Sequence, residues 1–139
     1  MKTEQILNLD YRKEENKEII QKVLRKIKPL SKFSDEEQIP LEAIEKLVRV
    51  LNHKYEITPQ WMTISLDEQF TTIYSIGVKT TTDHKWLGNV FGICLYEVFA
   101  KLAIKMYSEI KSGNIEVRTQ TKEEKQRERI AKKIDKTKD

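Results

Sequence analysis

The sequence contains one cysteine, Cys94, two histidines, three prolines and four glycines in 139 residues. A lone cysteine excludes an intramolecular disulfide and a four-thiolate zinc site, and it suits a reducing compartment. The histidines, His53 and His84, fall in different segments, and neither has a second ligand at a recognised metal spacing, so no metal and no cofactor is expected. No stretch approaches the roughly 18 apolar residues that a membrane span needs, and Met1 to Asp10 lacks the apolar centre of a signal peptide. These absences predict a cytoplasmic protein without membrane contact. With so few glycines and prolines there is no linker, and no internal repeat is present, so the chain reads as one domain with one core.

What is present is charge and periodicity. Charged residues make up 35% of the chain and hydrophobic ones 38%, yet the apolar residues recur in regular blocks, which argues for a packed body rather than disorder. The net charge of +4 is concentrated at one end: Thr119 to Asp139 holds eight Lys/Arg against five Asp/Glu, a balance of +3 that leaves +1 for Met1 to Arg118. The expected organisation is a single α+β domain over residues 1–118 and a charged C-terminal extension over 119–139, helical or disordered.

Ile19, Ile20, Val23, Leu24 and Ile27 recur at helical spacing between Asp10 and Lys28, where Pro29 ends the helix. Pro40 suits the first turn of a second helix, to Tyr55, with Leu41, Ile44, Leu47, Val48 and Leu51 on one stripe, and the two are expected to pair as a helical hairpin. From Gln60 the period changes to two. Trp61, Thr63 and Ser65 alternate with Met62, Ile64 and Leu66, and Phe70 to Val78 repeats the pattern, giving an antiparallel β-hairpin or small sheet across Asp67-Glu68-Gln69. After a polar loop, Thr80 to Lys85, Asn89 can cap a long C-terminal core helix from Val90 to about Ser112, ended by Gly113-Asn114. Phe91, Leu95, Val98, Phe99, Leu102 and Met106 form its main stripe, Glu97, Lys101 and Lys105 a narrow polar ridge. Ile115 to Arg118 suits a short edge strand.

Candidate chemistry is sparse. Cys94 falls in an apolar stretch with no base beside it in the sequence, the setting of a small buried hydrophobe rather than a nucleophile. Acidic pairs such as Glu14-Glu15, Glu36-Glu37 and Glu123-Glu124 sit among lysines on polar faces, and no phosphate-cradling or nucleophile-elbow motif occurs. Gly92 is explained by close helix packing. These features predict no catalytic residue. The segment Lys79 to Trp86 sets a polar run beside an aromatic residue, the composition of a partner-binding loop, and nominates Thr81, Asp83, His84, Lys85 and Trp86. Arg127, Arg129, Lys132 and Lys133 in the extension permit weak, non-specific contact with nucleic acid.

Two blocks carry a resemblance: Ile6-Leu-Asn-Leu-Asp-Tyr-Arg-Lys-Glu-Glu-Asn16 with the helix after it, and Asp83-His-Lys-Trp-Leu-Gly-Asn-Val-Phe-Gly92 running into Leu95-Tyr-Glu97. In these the chain resembles small accessory proteins of phages and mobile elements of gut Bacteroidales, a group that includes anti-CRISPR inhibitors of type II Cas9 nucleases. The resemblance implies a protein partner, Cas9 with or without its guide RNA, inside a bacterial host cell. It transfers no residue roles. A nearly neutral body disfavours mimicry of DNA, so the expected action is occlusion of the effector. The alternatives are a nucleic-acid-associated accessory protein and a homodimeric adaptor.

Overall fold

The computed structural model describes residues 1–118 and 127–133. Its centre is the helix α4, Leu95–Lys111, in which Val98, Ala100, Leu102, Ala103, Ile104 and Met106 are all buried. A helix apolar on most of its circumference has to be surrounded. Here α1 (Thr3–Leu7), α2 (Glu14–Arg25) and α3 (Leu41–Lys54) pack against it together with a sheet. The first helix is five residues long, too short to show a period, and no sequence signal announces it. The stretch expected to be helical from Asp10 to Lys28 instead has an ordered turn up to Lys13, α2, and a 3-10 turn over Lys28–Leu30 with Pro29 inside its first turn.

Pro40 stands at the N-cap of α3, one position before the helix rather than inside it. Ile44, Leu47, Val48 and Leu51 are buried as their spacing requires. The expected helical hairpin is corrected in one respect: α2 and α3 meet chiefly through α4, and not along each other. The reason is volume, since a helix with two apolar stripes offers both partners a better surface than they offer one another.

Three antiparallel strands, β1 (Ile57–Leu66), β2 (Thr72–Thr80) and β3 (Trp86–Gly92), lie in the order β1-β2-β3, so both outer strands are edges. The class is α+β. Ile76 and Val78 of β2 and Val90 of β3 turn toward α4 and are buried. The β1–β2 turn lacks glycine, and Phe70 occupies the left-handed conformation there at φ 61°. Asp67 compensates by accepting from the amides of Gln69 and Thr71, both at 2.8 Å, an Asx-type turn that holds the tip.

The strand β3 replaces the expected first turn of the long helix. Asn89 is no cap: it sits opposite Gly77 in the sheet, and α4 begins six residues later, behind Cys94. Cys94 is therefore not inside a helix. It is the N-cap, and its Sγ accepts from the Glu97 amide at 3.5 Å. Gly92 does mark a close approach, because a Cβ there would lie 2.7 Å from the Val98 backbone nitrogen. Phe91 and Leu95, assigned by spacing to the core stripe, are exposed. Ile115 to Arg118 adds one bridge, Val117 to Tyr55, in place of a full strand.

The supposed polar ridge of α4 is the largest correction. Glu97 and Lys101 are buried and form an ion pair. The second carboxylate oxygen of Glu97 accepts from the Ile93 amide at 2.7 Å, and Lys101 Nζ donates to the Leu9 carbonyl at 2.9 Å. The pair thus fastens the N-terminal strap and the β3–α4 connection to the central helix. Only Lys105, bonded to Glu109 at 2.8 Å, is nearer the surface.

Candidate functional site

One face of the sheet packs on α4, and no helix among the described residues covers the other. Strand alternation decides what that open face carries. Gly77, Ser75 and Ile73 lie between the inward residues of β2; Asn89 and Phe91 oppose Gly77 and Ser75; and Trp61 precedes Met62, which opposes the buried Ile76. Trp86 lies across Gly77, where an added Cβ would fall 2.1 Å from its ring. The glycine is a seat for the indole. The open face therefore presents Trp61 (91% exposed), Trp86 (57%) and Phe91 (54%) among Thr63, Ser65, Ser75 and Asn89.

Its electrostatics are as unusual as its aromatics. In a chain that is 35% charged, Lys79 is the one charged residue in the three strands. Large exposed aromatic residues in a field depleted of charge have the composition of the core of a protein–protein interface.

The nominated loop adjoins this face. Thr81, Asp83, His84, Lys85 and Trp86 come together in the β2–β3 turn, which is closed by the Thr80 amide donating to the Lys85 carbonyl at 2.9 Å and by the Lys85 amide donating to Thr80 Oγ1 at 2.8 Å. His84 adopts φ 53° and lies 3.1 Å from Lys79 Nζ. Thr81 turns away, bonding Thr58 and Arg118, so its hydroxyl serves the fold. Arg127, Arg129, Lys132 and Lys133 are exposed on a helical segment over 127–133; the rest of the extension lies outside the described residues. No hydrogen bond or ion pair among the described residues ties that segment to the turn. Sequence reasoning missed Trp61 and Phe91 as surface groups. The usable signal was the uncharged run Ile57 to Leu66, too long and too two-sided for a strand covered on one face.

The chain finds no match among protein-family models, curated proteins or solved structures. The surface must be read from its own chemistry.

A second feature is an open groove between α2 and residues 35–38. Lys22, Arg25 and Lys26 form one wall, and Asp35, Glu36 and Glu37 the other. Its floor is already hydrogen-bonded. Gln21 Nε2 donates to Tyr96 Oη at 2.7 Å, Tyr96 donates to the Ile39 carbonyl, and the Ile39 amide donates back to Gln21 at 3.0 Å. Tyr11 stacks on Tyr96 with ring centroids 6.4 Å apart. Among the described residues no three of His, Cys, Asp and Glu gather as a metal site, and no hydrogen bond joins Cys94 to a histidine.

Burial raises the pKa of both tyrosines, reinforced at Tyr11 by the neighbouring Tyr96, Cys94 and acidic groups, and opposed at Tyr96 by hydrogen bonds from Gln21 and Gln38. A raised folded pKa means the neutral form is preferred in the fold. Its contribution is complete below the unfolded tyrosine value of about 10 and is lost as pH rises above it. Urea unfolding followed against pH should show a midpoint insensitive to these groups up to about pH 10 and falling beyond it, with the fall reduced in Tyr11→Phe.

Proposed function

We propose that this chain is a non-enzymatic protein-binding module whose working surface is the open sheet face, and that its partner is a Cas9-type effector which it inhibits by occlusion. The observation carrying the first half is the set Trp61, Trp86 and Phe91 in a face with Lys79 as its one charge. Exposing such rings to water is unfavourable by about 25 cal/mol per Å2 of apolar area, and a partner that covers them recovers that term. The second half follows the resemblance of the Ile6–Asn16 and Asp83–Gly92 blocks. The open face is the wrong surface for DNA mimicry, which requires dense negative charge. Covering a protein surface needs only shape and apolar area.

Co-purification with a Cas9 ribonucleoprotein, scored together with cleavage of a matched target, tests the reading. Stable association and lost cleavage are expected. Absence of both across several type II effectors would reject the Cas9 assignment.

The same rings favour a second reading, single-stranded nucleic acid stacked on the sheet, because aromatic residues on a sheet face can hold unstacked bases. With Lys79 as the one strand charge and Lys85 beside it, few phosphates would be neutralised. This reading predicts binding to free oligonucleotide that weakens steeply with salt and on removal of residues 119–139; the protein-binding reading predicts neither.

A further inference from the structure

The strand β1 has a free edge. From Ile57 to Leu66 it carries no charged residue, Pro59 is its one proline, and every side chain from Trp61 to Leu66 is exposed. Natural edge strands are ordinarily guarded by lysine, proline, a bulge or a covering element. Here the bulge lies between Pro59 and Met62, leaving the stretch beyond it regular, and no element among the described residues covers it. Met62, Ile64 and Leu66 form a row overhanging the helical layer, exposed by 40%, 63% and 61%.

We infer that this edge pairs with the β1 edge of a second copy of the chain, antiparallel about a two-fold axis at Ile64, to give a continuous six-stranded sheet. Hydrogen-bond parity selects the register. The Asp67 amide donates to the Thr71 carbonyl at 3.1 Å, so counting back in twos Ser65 and Thr63 turn their backbone groups toward β2. Met62, Ile64 and Leu66 therefore turn theirs outward. Gln60 and Trp61 together face Gly77 in the bulge, so the outward residues of the regular stretch are Met62, Ile64 and Leu66; an axis at Ile64 sets Met62 against Leu66 of the second copy and Ile64 against itself, pairing all three. An axis at Thr63 would pair only Met62 with Ile64 and would set Leu66 against the bulge.

The chemistry favours a second copy over an unrelated partner. An uncharged strand leaves no ion unpaired when it meets itself, and the row Met62, Ile64, Leu66 meets the same row reversed. One strand edge and three side chains cover less than the about 800 Å2 per partner of a standard interface. The dimer should accordingly dissociate on dilution. It leaves Trp61, Trp86 and Phe91 on the open face, so it does not depend on the identity of the partner proposed above.

Sedimentation of the full chain from about 1 to about 300 µM tests the pairing, with masses expected to rise from one chain toward two. Ile64→Lys sets a charge on the edge at an exposed position; it should keep the circular dichroism and melting of the parent and remain one chain throughout. In a Cys94→Ser background, which retains a capping oxygen, Ile64→Cys should form a disulfide-linked dimer on mild oxidation, because hydrogen-bonded antiparallel pairs hold opposed Cα atoms about 5.5 Å apart, within reach of a disulfide. Cysteine at Glu68, at the hairpin tip, should stay unlinked. Trp86→Ala should leave the dimer intact. A single-chain mass at every concentration, a dimer undiminished by Ile64→Lys, or linkage at position 68 in preference to 64 would each overturn the inference.

Discussion

Lys101→Ala is expected to destabilise the fold by about 3–5 kcal/mol, the cost of breaking a buried ion pair from one side. The substitution leaves the Glu97 carboxylate buried without its counter-charge and leaves the Leu9 carbonyl without its donor. For a chain of this size that corresponds to a melting temperature lower by roughly 10–20 °C. Glu97→Leu combined with Lys101→Met should recover part of the loss by removing both charges. It should not recover all of it, because the Ile93 amide and the Leu9 carbonyl stay unpaired at about 1–3 kcal/mol each. A loss below about 1 kcal/mol for Lys101→Ala would show that water reaches the pair in solution. The prediction also bears on function, since the strap held by Lys101 adjoins the end of β3 that carries Phe91.

Alanine at Trp61 or Trp86 is expected to weaken binding to the protein partner by about 30-fold or more, the loss that defines an interface hot spot. Trp61 is nearly free of intramolecular contact, so its replacement should leave melting unchanged. Trp86 gives up its contact with Gly77, but the ring is more than half exposed and the cost should stay within a few degrees. The two losses need not add, because both rings serve one face through a shared partner surface. A large fall in melting for Trp86→Ala would instead identify the indole as a structural cover for the sheet.

The fold class and the elements α2, α3, β1, β2 and the body of α4 follow from period alone. Ile44, Leu47, Val48 and Leu51 announce α3, and the switch to period two at Gln60 announces the hairpin. The strand β3 was hidden because Asn89 precedes Val90 and Phe91 in a sequence that also satisfies a helix start. What excludes the helix is tertiary: β2 needs a second partner to bury Ile76 and Val78, and Val90 supplies part of that cover. The pair Glu97 and Lys101 was misread for a related reason. An i, i+4 ion pair has the same spacing whether water or protein surrounds it, and the groups that enclose this one, Leu9 and Ile93, come from outside the helix.

The candidate face was half legible. Thr81 to Trp86 stands out because polar residues flank a tryptophan, although the Thr81 hydroxyl is taken up by Thr58 and Arg118. Trp61 and Phe91 join Trp86 only through strand register, which no local pattern reveals. The basic residues Arg127, Arg129, Lys132 and Lys133 remain a matter of charge alone, and the structure gives them no part in the face.

Amide hydrogen exchange of the chain, free and in complex with a Cas9 ribonucleoprotein, tests the central claim most directly, since it reports which backbone segments a partner covers. The account predicts slowed exchange in β1, β2 and β3 and in the turn at residues 80–85, with little change in α2 and α3. Protection confined to α2 and the groove beside residues 35–38, with the sheet unaffected, would contradict it.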